Sequence, residues 1–169
     1  MALRTVVKYG TPVLNHKTKL IESITPEIRQ LAADMLETMY TAPGVGLAAN
    51  QVGVNLRMCV IDLRPEGKRI PLVLINPVIE KREGKLIDDE GCLSFPGFTV
   101  RAKRARKVTV RTQNLEGTSV VIKAEEFLSR VLQHEIDHLD GKTFLDHISA
   151  ADKKYVQSEI KRLKKEGVW

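Results

Sequence analysis

Two histidines four residues apart, with a glutamate directly after the first, are the densest chemical signal in the chain: His134-Glu135-Ile136-Asp137-His138. On a helix, side chains at i and i+4 stand one above the other, so both imidazoles can reach a single ion. Glu135 lies about 100° round the same helix, where it can meet a water on that ion from the side and move its proton. Taken alone, the pentapeptide also fits an ordinary helix with two surface histidines and solvated acids. Its flanks weigh against that reading. Leu132, Ile136 and Leu139 are apolar, so the helix is largely buried, and unpaired acid or imidazole groups are costly there.

A catalytic ion needs a third protein donor and one open position. His16, His147 and several acids are available, but Cys92 is the stronger candidate. It stands in Glu90-Gly91-Cys92-Leu93-Ser94-Phe95-Pro96, a turn-prone and charged setting that is odd for a core filler. Cys59, mid-strand in Arg57-Met58-Cys59-Val60-Ile61, suits the filler role instead. A third segment, Gly44-Val45-Gly46-Leu47-Ala48-Ala49-Asn50-Gln51, joins two glycines that admit close backbone approach to an amide donor at Gln51. No Lys-Ser or Lys-Thr pair follows, so it is not a phosphate loop. By itself it also reads as a tight turn leading into a strand.

The elements that must position these residues follow from periodicity. Thr25 and Pro26 look like an N-cap and first-turn proline, and Ile28, Leu31, Ala32, Met35, Leu36 and Met39 form one apolar face of a helix ending near Tyr40. Strands are expected over 56–63, 71–75, 78–86, 107–112 and 119–122, with turns at Pro65–Gly67, Gly84 and Asn114–Gly117. A second helix is expected from about Ala124 to Asp140, with Gly141 as its stop. A third starts at Ser149, where Asp152 completes a capping-box-like pattern, and carries Val156, Ile160 and Leu163 on one face. Strands in the middle and helices at the ends indicate an α+β fold: small mixed or antiparallel sheets around the histidine-bearing helix.

Composition bounds the rest. A chain of 169 residues suits one domain spanning 1–169, large enough to bury a core without disulfides. Two cysteines argue against a secreted disulfide scaffold. The opening MALRTVVKYG has no apolar h-region, so no targeting peptide is recognisable, and no run approaches the roughly 18 apolar residues of a membrane span. A cytoplasmic protein with no DNA and no membrane partner is expected. Lys and Arg exceed Asp and Glu by 27 to 21, a net +6 that favours anionic surroundings without identifying a nucleic-acid binder.

GVGLAANQ, EGCLS and QHEIDHLDG, in this order and at these separations, closely resemble the three signature motifs of the peptide deformylase family. The resemblance implies an α+β hydrolase that removes the formyl group from N-formyl-methionine of nascent peptides during protein biosynthesis. It implies one divalent metal held by Cys92, His134 and His138, with Glu135 as base and then acid. It also implies that the Gln51 amide and the Leu93 backbone N–H stabilise the formyl oxygen, and that Arg104 partners Glu90. Iron, as Fe(II), is the metal the family implies; thiolate plus two imidazoles alone suits zinc at least as well, and zinc, nickel or cobalt can substitute in preparations.

The methionine side chain of such a substrate needs an apolar wall. Phe127, Arg130 and Val131 stand at −7, −4 and −3 from His134 and share its face, with Val45 and the Gly46 backbone opposite. Phe127 and Val131 equally suit a plain core, and Arg130 is expected to fold its stem over the pocket with its head in water. Basic runs at Arg101–Arg111 and on the last helix fit a solvated face; by family resemblance that helix also offers a weak ribosome contact. Two rivals remain open. One is a zinc endopeptidase using a downstream ligand, for which only His147, nine residues after His138, is near. The other is a basic RNA-associated module with a structural metal, which would call for a fourth protein ligand.

Overall fold

The computed structural model describes residues 2–169. Helix α1 (Pro26–Thr41) starts where the Thr25 side chain accepts the Ile28 N–H, and it buries Ile28, Leu31, Ala32, Met35 and Met39 along one face. Strands β1 (Gly46–Ala48), β2 (Met58–Ile61) and β3 (Leu72–Glu83) follow. A hairpin, β4 (Leu86–Gly91) and β5 (Thr99–Arg104), forms a two-stranded sheet of its own. Strands β6 (Lys107–Gln113) and β7 (Ser119–Glu125) complete a five-stranded antiparallel sheet in the order β1-β2-β3-β6-β7. Helices α2 (Glu126–Leu139) and α3 (Ala150–Lys165) end the chain's order of elements. The α+β expectation is met.

Strand alternation explains why the large sheet lies between two helices. In β2 all four residues are buried, but Met58 and Val60 pack with α1 while Cys59 and Ile61 pack with Val131, Leu132, Ile136 and Leu139 of α2. One face of the sheet covers α2 and the hairpin residues Glu90 and Ala102 meet it as well, so every residue from Ser129 to Leu139 is buried. A third apolar cluster joins the hairpin to α3 through Phe95, Val100, Ala102, Phe144, Val156 and Ile160. Val156 and Ile160 anchor α3, each contributing about 1.5–3 kcal/mol on burial.

Several boundaries differ from the pattern reading, each for a local reason. The two strands expected over 71–75 and 78–86 are largely one, β3, because the interruption at Asn76-Pro77 is absorbed as a register shift between Ile75 and Val78. Asn76 adopts φ 53, and its side chain accepts the Ile21 N–H at 2.9 Å and donates to the Ile21 carbonyl at 2.8 Å. Helix α2 begins at Glu126, since Ala124 and Glu125 still pair with Val108 and Lys107 in β7. The hairpin partner β5 was not anticipated: its inward positions are Val100, Ala102 and Arg104, and a buried arginine breaks the apolar alternation. The glycine segment does lead into a strand, β1.

Candidate metal centre and cleft

The end of β4 delivers Glu90, Gly91 and Cys92 to the face of α2 that carries His134 and His138. Cys92 Sγ lies 3.3 Å from His138 Nε2, and the ligand atoms of Cys92, His134 and His138 all lie within 4.8 Å of one another. Among the described residues this is the one group of three such side chains placed to hold an ion. The two imidazole rings sit 4.9 Å apart at 73°. His16 is exposed, and His147 Nε2 sits 2.8 Å from Asp137 Oδ2, so neither supplies the third donor.

A buried carboxylate sets the orientation of His134. Glu90 Oε2 lies 2.8 Å from His134 Nδ1, which leaves Nε2 to face Cys92. Glu90 also accepts from Arg104 Nε at 2.7 Å, from Arg104 Nη2 at 3.0 Å and from Arg130 Nη1 at 2.6 Å. Burial works against its charge, but His134 and Arg104 outweigh it and hold the carboxyl far below the usual range. The second arm of Arg104 reaches Asp137 within the helix motif. Arg130 corrects one expectation: its head is not in water. It is buried on Glu90 and the carbonyls of Ala102 and Leu86, and only its remaining surface lines the cleft.

The donor set fits one divalent first-row ion: one thiolate and two imidazoles with a fourth position left open. Burial disfavours a proton on His134, yet the neighbouring Cys92, Glu135 and Glu90 raise its pKa well above the ordinary range, so an ion on this nitrogen has to displace a proton. Burial first, and then His134, push His138 the other way, which keeps that imidazole neutral and free to ligate.

Glu135 is buried beside them, and Oε1 has no hydrogen-bond partner. Burial pushes its carboxyl up to about 7, with His134 pulling it down and Glu90 adding to the rise. An acid tuned near neutrality can take and return a proton. The glycine segment packs directly on it: a Cβ on Gly46 would fall 2.5 Å from Glu135 Oε2. At the end of the same segment, Gln51 is locked by its own backbone, Oε1 accepting the Ala48 N–H at 2.9 Å. That fixes Nε2 toward Ser94 Oγ at 3.1 Å and Cys92 Sγ at 3.7 Å.

A cleft of about 640 Å³ opens over this floor. It is lined by Val45, Gly46 and Gln51, by Cys92 and Leu93, and by Phe127, Arg130, Val131, His134 and Glu135. His138 stands behind, fully buried. Val131 is buried while Phe127 is half exposed at the rim. Two supporting residues were not singled out from the sequence. Ser94 receives the Gln51 amide, and the buried Asn50 side chain donates to the His138 carbonyl. Both lie inside motifs already read, which is the signal that would have found them.

A family model described as polypeptide deformylase matches residues 3–154. A peptide deformylase of Endomicrobium trichonymphae is 47% identical over 169 residues, covering 100% of both chains. One of Desulfitobacterium hafniense is 53% identical over 146 residues, covering 86% of this chain and 95% of its own. Among solved structures, a peptide deformylase of Legionella pneumophila superposes with a TM-score of 0.90 at 37% identity, covering 98% of each chain. One of Thermus thermophilus superposes with a TM-score of 0.89 at 40% identity, covering 97% of this chain and 99% of its own.

Proposed function

The chain belongs to the peptide deformylase family, and from that premise we propose how its own residues carry out the family's reaction. The reaction is metal-dependent hydrolysis of the formyl amide at the N-terminal methionine of nascent polypeptides, releasing formate. The observation that carries the assignment of roles is the convergence of Cys92, His134 and His138 beside a buried Glu135 with an unpartnered oxygen, with Cys92, His134 and Glu135 lining one cleft and His138 behind them.

Cys92, His134 and His138 would hold the ion, and we infer Fe(II) in the cell, with zinc, nickel or cobalt in preparations. When bound, the ion supplies Lewis acidity toward water and the formyl oxygen. Glu135 Oε1 takes the proton of the attacking water and returns it to the departing amine. Beside the positive charge that Cys92, His134 and His138 would hold, Glu135 would enter the cycle as the carboxylate, the base form. Gln51 Nε2, held by the Ala48 N–H, turns from Ser94 to the developing oxyanion, joined by the Leu93 N–H. Val45, Phe127 and Val131, with the cleft-lining surface of Arg130, pack the methionine side chain. Gly46 keeps the opposite wall close enough to exclude an acetyl methyl group. Glu90, fixed by Arg104 and Arg130, keeps His134 in the tautomer that ligates through Nε2.

Two finer readings concern the cell. No helix of the described residues is long and apolar enough to cross a membrane, and with relatives from bacteria we place the protein in the cytoplasm. Lys153, Lys154, Lys161, Lys164 and Lys165 on α3 would give a weak contact with the ribosome. Arg162 contributes less, because Glu159 and Glu166 already pair with it.

Formate release from formyl-Met-Ala-Ser, measured anaerobically with Fe(II) and again with nickel or zinc, tests the proposal. Turnover is expected with formyl-Met and formyl-norleucine peptides and should be marginal with acetyl-Met. Cleavage of internal peptide bonds, or equal removal of formyl and acetyl groups, would sink it.

A further inference from the structure

The cleft extends past the methionine wall to a rim that the proposed mechanism leaves unused. Phe98 lines this rim and is half-buried, while Pro96, Gly97 and Thr99 around it are exposed. The rim loop has little of its own to hold it: the Phe98 N–H bonds the Phe95 carbonyl at 3.1 Å, and Gly97 turns at φ 85. Behind Phe98 stands Trp169, which follows α3. The two rings meet edge to face, with centroids 6.0 Å apart at 71°.

Trp169 is itself fixed from two further sides. Its indole N–H donates to the Tyr9 carbonyl at 2.9 Å, and the Lys8 ammonium lies 5.7 Å from its ring centroid. Tyr9 in turn stacks on Phe95 at 4.8 Å. The chain has four Phe, three Tyr and one Trp. Five of these eight, Tyr9, Phe95, Phe98, Phe144 and Trp169, gather in this one cluster. A plain core would not need its half-exposed members at the mouth of a cleft. An indole clamped by a hydrogen bond, with its ring against the one aromatic side chain of an exposed loop, is a fixed support.

We infer that Trp169 is a positioning residue for substrate recognition: it holds Phe98 as the apolar wall that receives peptide residues following the formyl-methionine. This rests on the deformylase reading. The ligand class is a peptide with apolar side chains after methionine, preferred over one with none. Trp169 lies more than 30 residues from the last metal ligand in sequence; its aromatic, hydrogen-bond and cation partners are Phe98, Tyr9 and Lys8, and it also packs on the buried cluster that Cys92 borders.

The test compares formyl-Met-amide with formyl-Met-Leu-Phe on the metal-loaded enzyme. Trp169→Ala should raise KM for formyl-Met-Leu-Phe by about twofold to tenfold, the span of one aromatic contact, while kcat holds. KM for formyl-Met-amide should stay put, Trp169→Phe should largely restore the longer peptide, and Phe98→Ala should reproduce the defect without adding to it in the double variant. Equal KM changes for both substrates, a fall in kcat alone, or no change would overturn the inference. Because Trp169 is the sole tryptophan, its emission is a second readout that needs no turnover. Titration with Met-Leu-Phe should shift it in the native protein and not in Phe98→Ala, whereas Met-amide should leave it unmoved. An emission shift without formate release would retain the rim assignment and remove the deformylase reading. Formate release with neither a KM split nor an emission shift would remove the rim assignment alone.

Discussion

Glu135 has one carboxyl oxygen unpartnered and the other pressed toward the Gly46 backbone, and that pair of contacts sets two predictions. Glu135→Gln keeps the shape of the side chain but cannot carry a proton. It should retain full metal occupancy by elemental analysis while turnover of formyl-Met-Ala-Ser falls at least about 10²-fold. Gly46→Ala attacks the same group from outside. The added methyl cannot share space with Glu135 Oε2, so the carboxyl must move, and a displacement near 1 Å should lower kcat by about 10²-fold with the metal still bound. Near-normal kcat in a metal-replete Gly46→Ala protein would mean that the carboxyl is not held by that wall. At this scale the sequence was informative wherever the spacing was local. His134, Glu135 and His138 are fixed by one helix turn, and Cys92 by the turn chemistry around it. Arg130 shows the limit. Whether its head faces water or protein depends on Glu90, 40 positions earlier, and no periodicity within α2 records that carboxylate.

Helix α1 and strand β2 are tied at their ends by one polar pair that lies apart from the metal donors. Tyr40 donates its hydroxyl to Asp62, which also accepts the backbone N–H groups of Arg64 at 2.8 Å and Ile70 at 3.0 Å. Burial raises the Asp62 carboxyl, but these donors outweigh it and the net shift is downward. Its contribution is therefore full above the ordinary carboxylate range and is lost as pH falls through the lowered folded value. Tyr40 moves the opposite way: burial first, then Asp62, pushes it up to about 12. Its contribution is full below pH 10 and is lost as pH rises from about 10 to about 12. Thermal melts should show Tyr40→Phe less stable than the native chain near neutrality and closing that gap across this alkaline window. A gap that stayed constant up to pH 12 would refute the coupling. Among the elements, the helices were legible because capping by Thr25 and Ser149 agrees with their apolar faces. Strand β5 was not, since a strand whose inward positions end in a buried arginine looks polar until Glu90 and Asp137 are seen around it.

Across the whole molecule, the three proposed metal donors join parts that pack in different clusters: Cys92 with the hairpin and α3, the histidines on the helix beneath the large sheet. An ion that binds only the assembled site adds stability by mass action, about 2.7 kcal/mol at a hundredfold excess over Kd. Chelation should therefore lower the melting temperature as well as abolish activity, and nickel should restore both. The Fe(II) form should lose activity in air faster than the nickel form, because oxidation of Cys92 ends in states that no longer ligate. Equal lifetimes in aerated buffer would count against iron as the labile partner. Assembly also has a direction in time. The last carbonyl of α2, Leu139 O, is satisfied by the Thr18 N–H at 2.8 Å and the Thr18 hydroxyl at 2.9 Å, a span of 121 residues. At a synthesis rate of about 5–20 residues per second, the interval between those two positions is about 6–24 s. Until it has passed, the sheet face that will cover α2 has nothing to cover, and β2 emerges as a strand apolar on both sides with only its α1 side provided for. A protein that acts on chains at the start of their synthesis thus completes its own centre only once its second helix has been made.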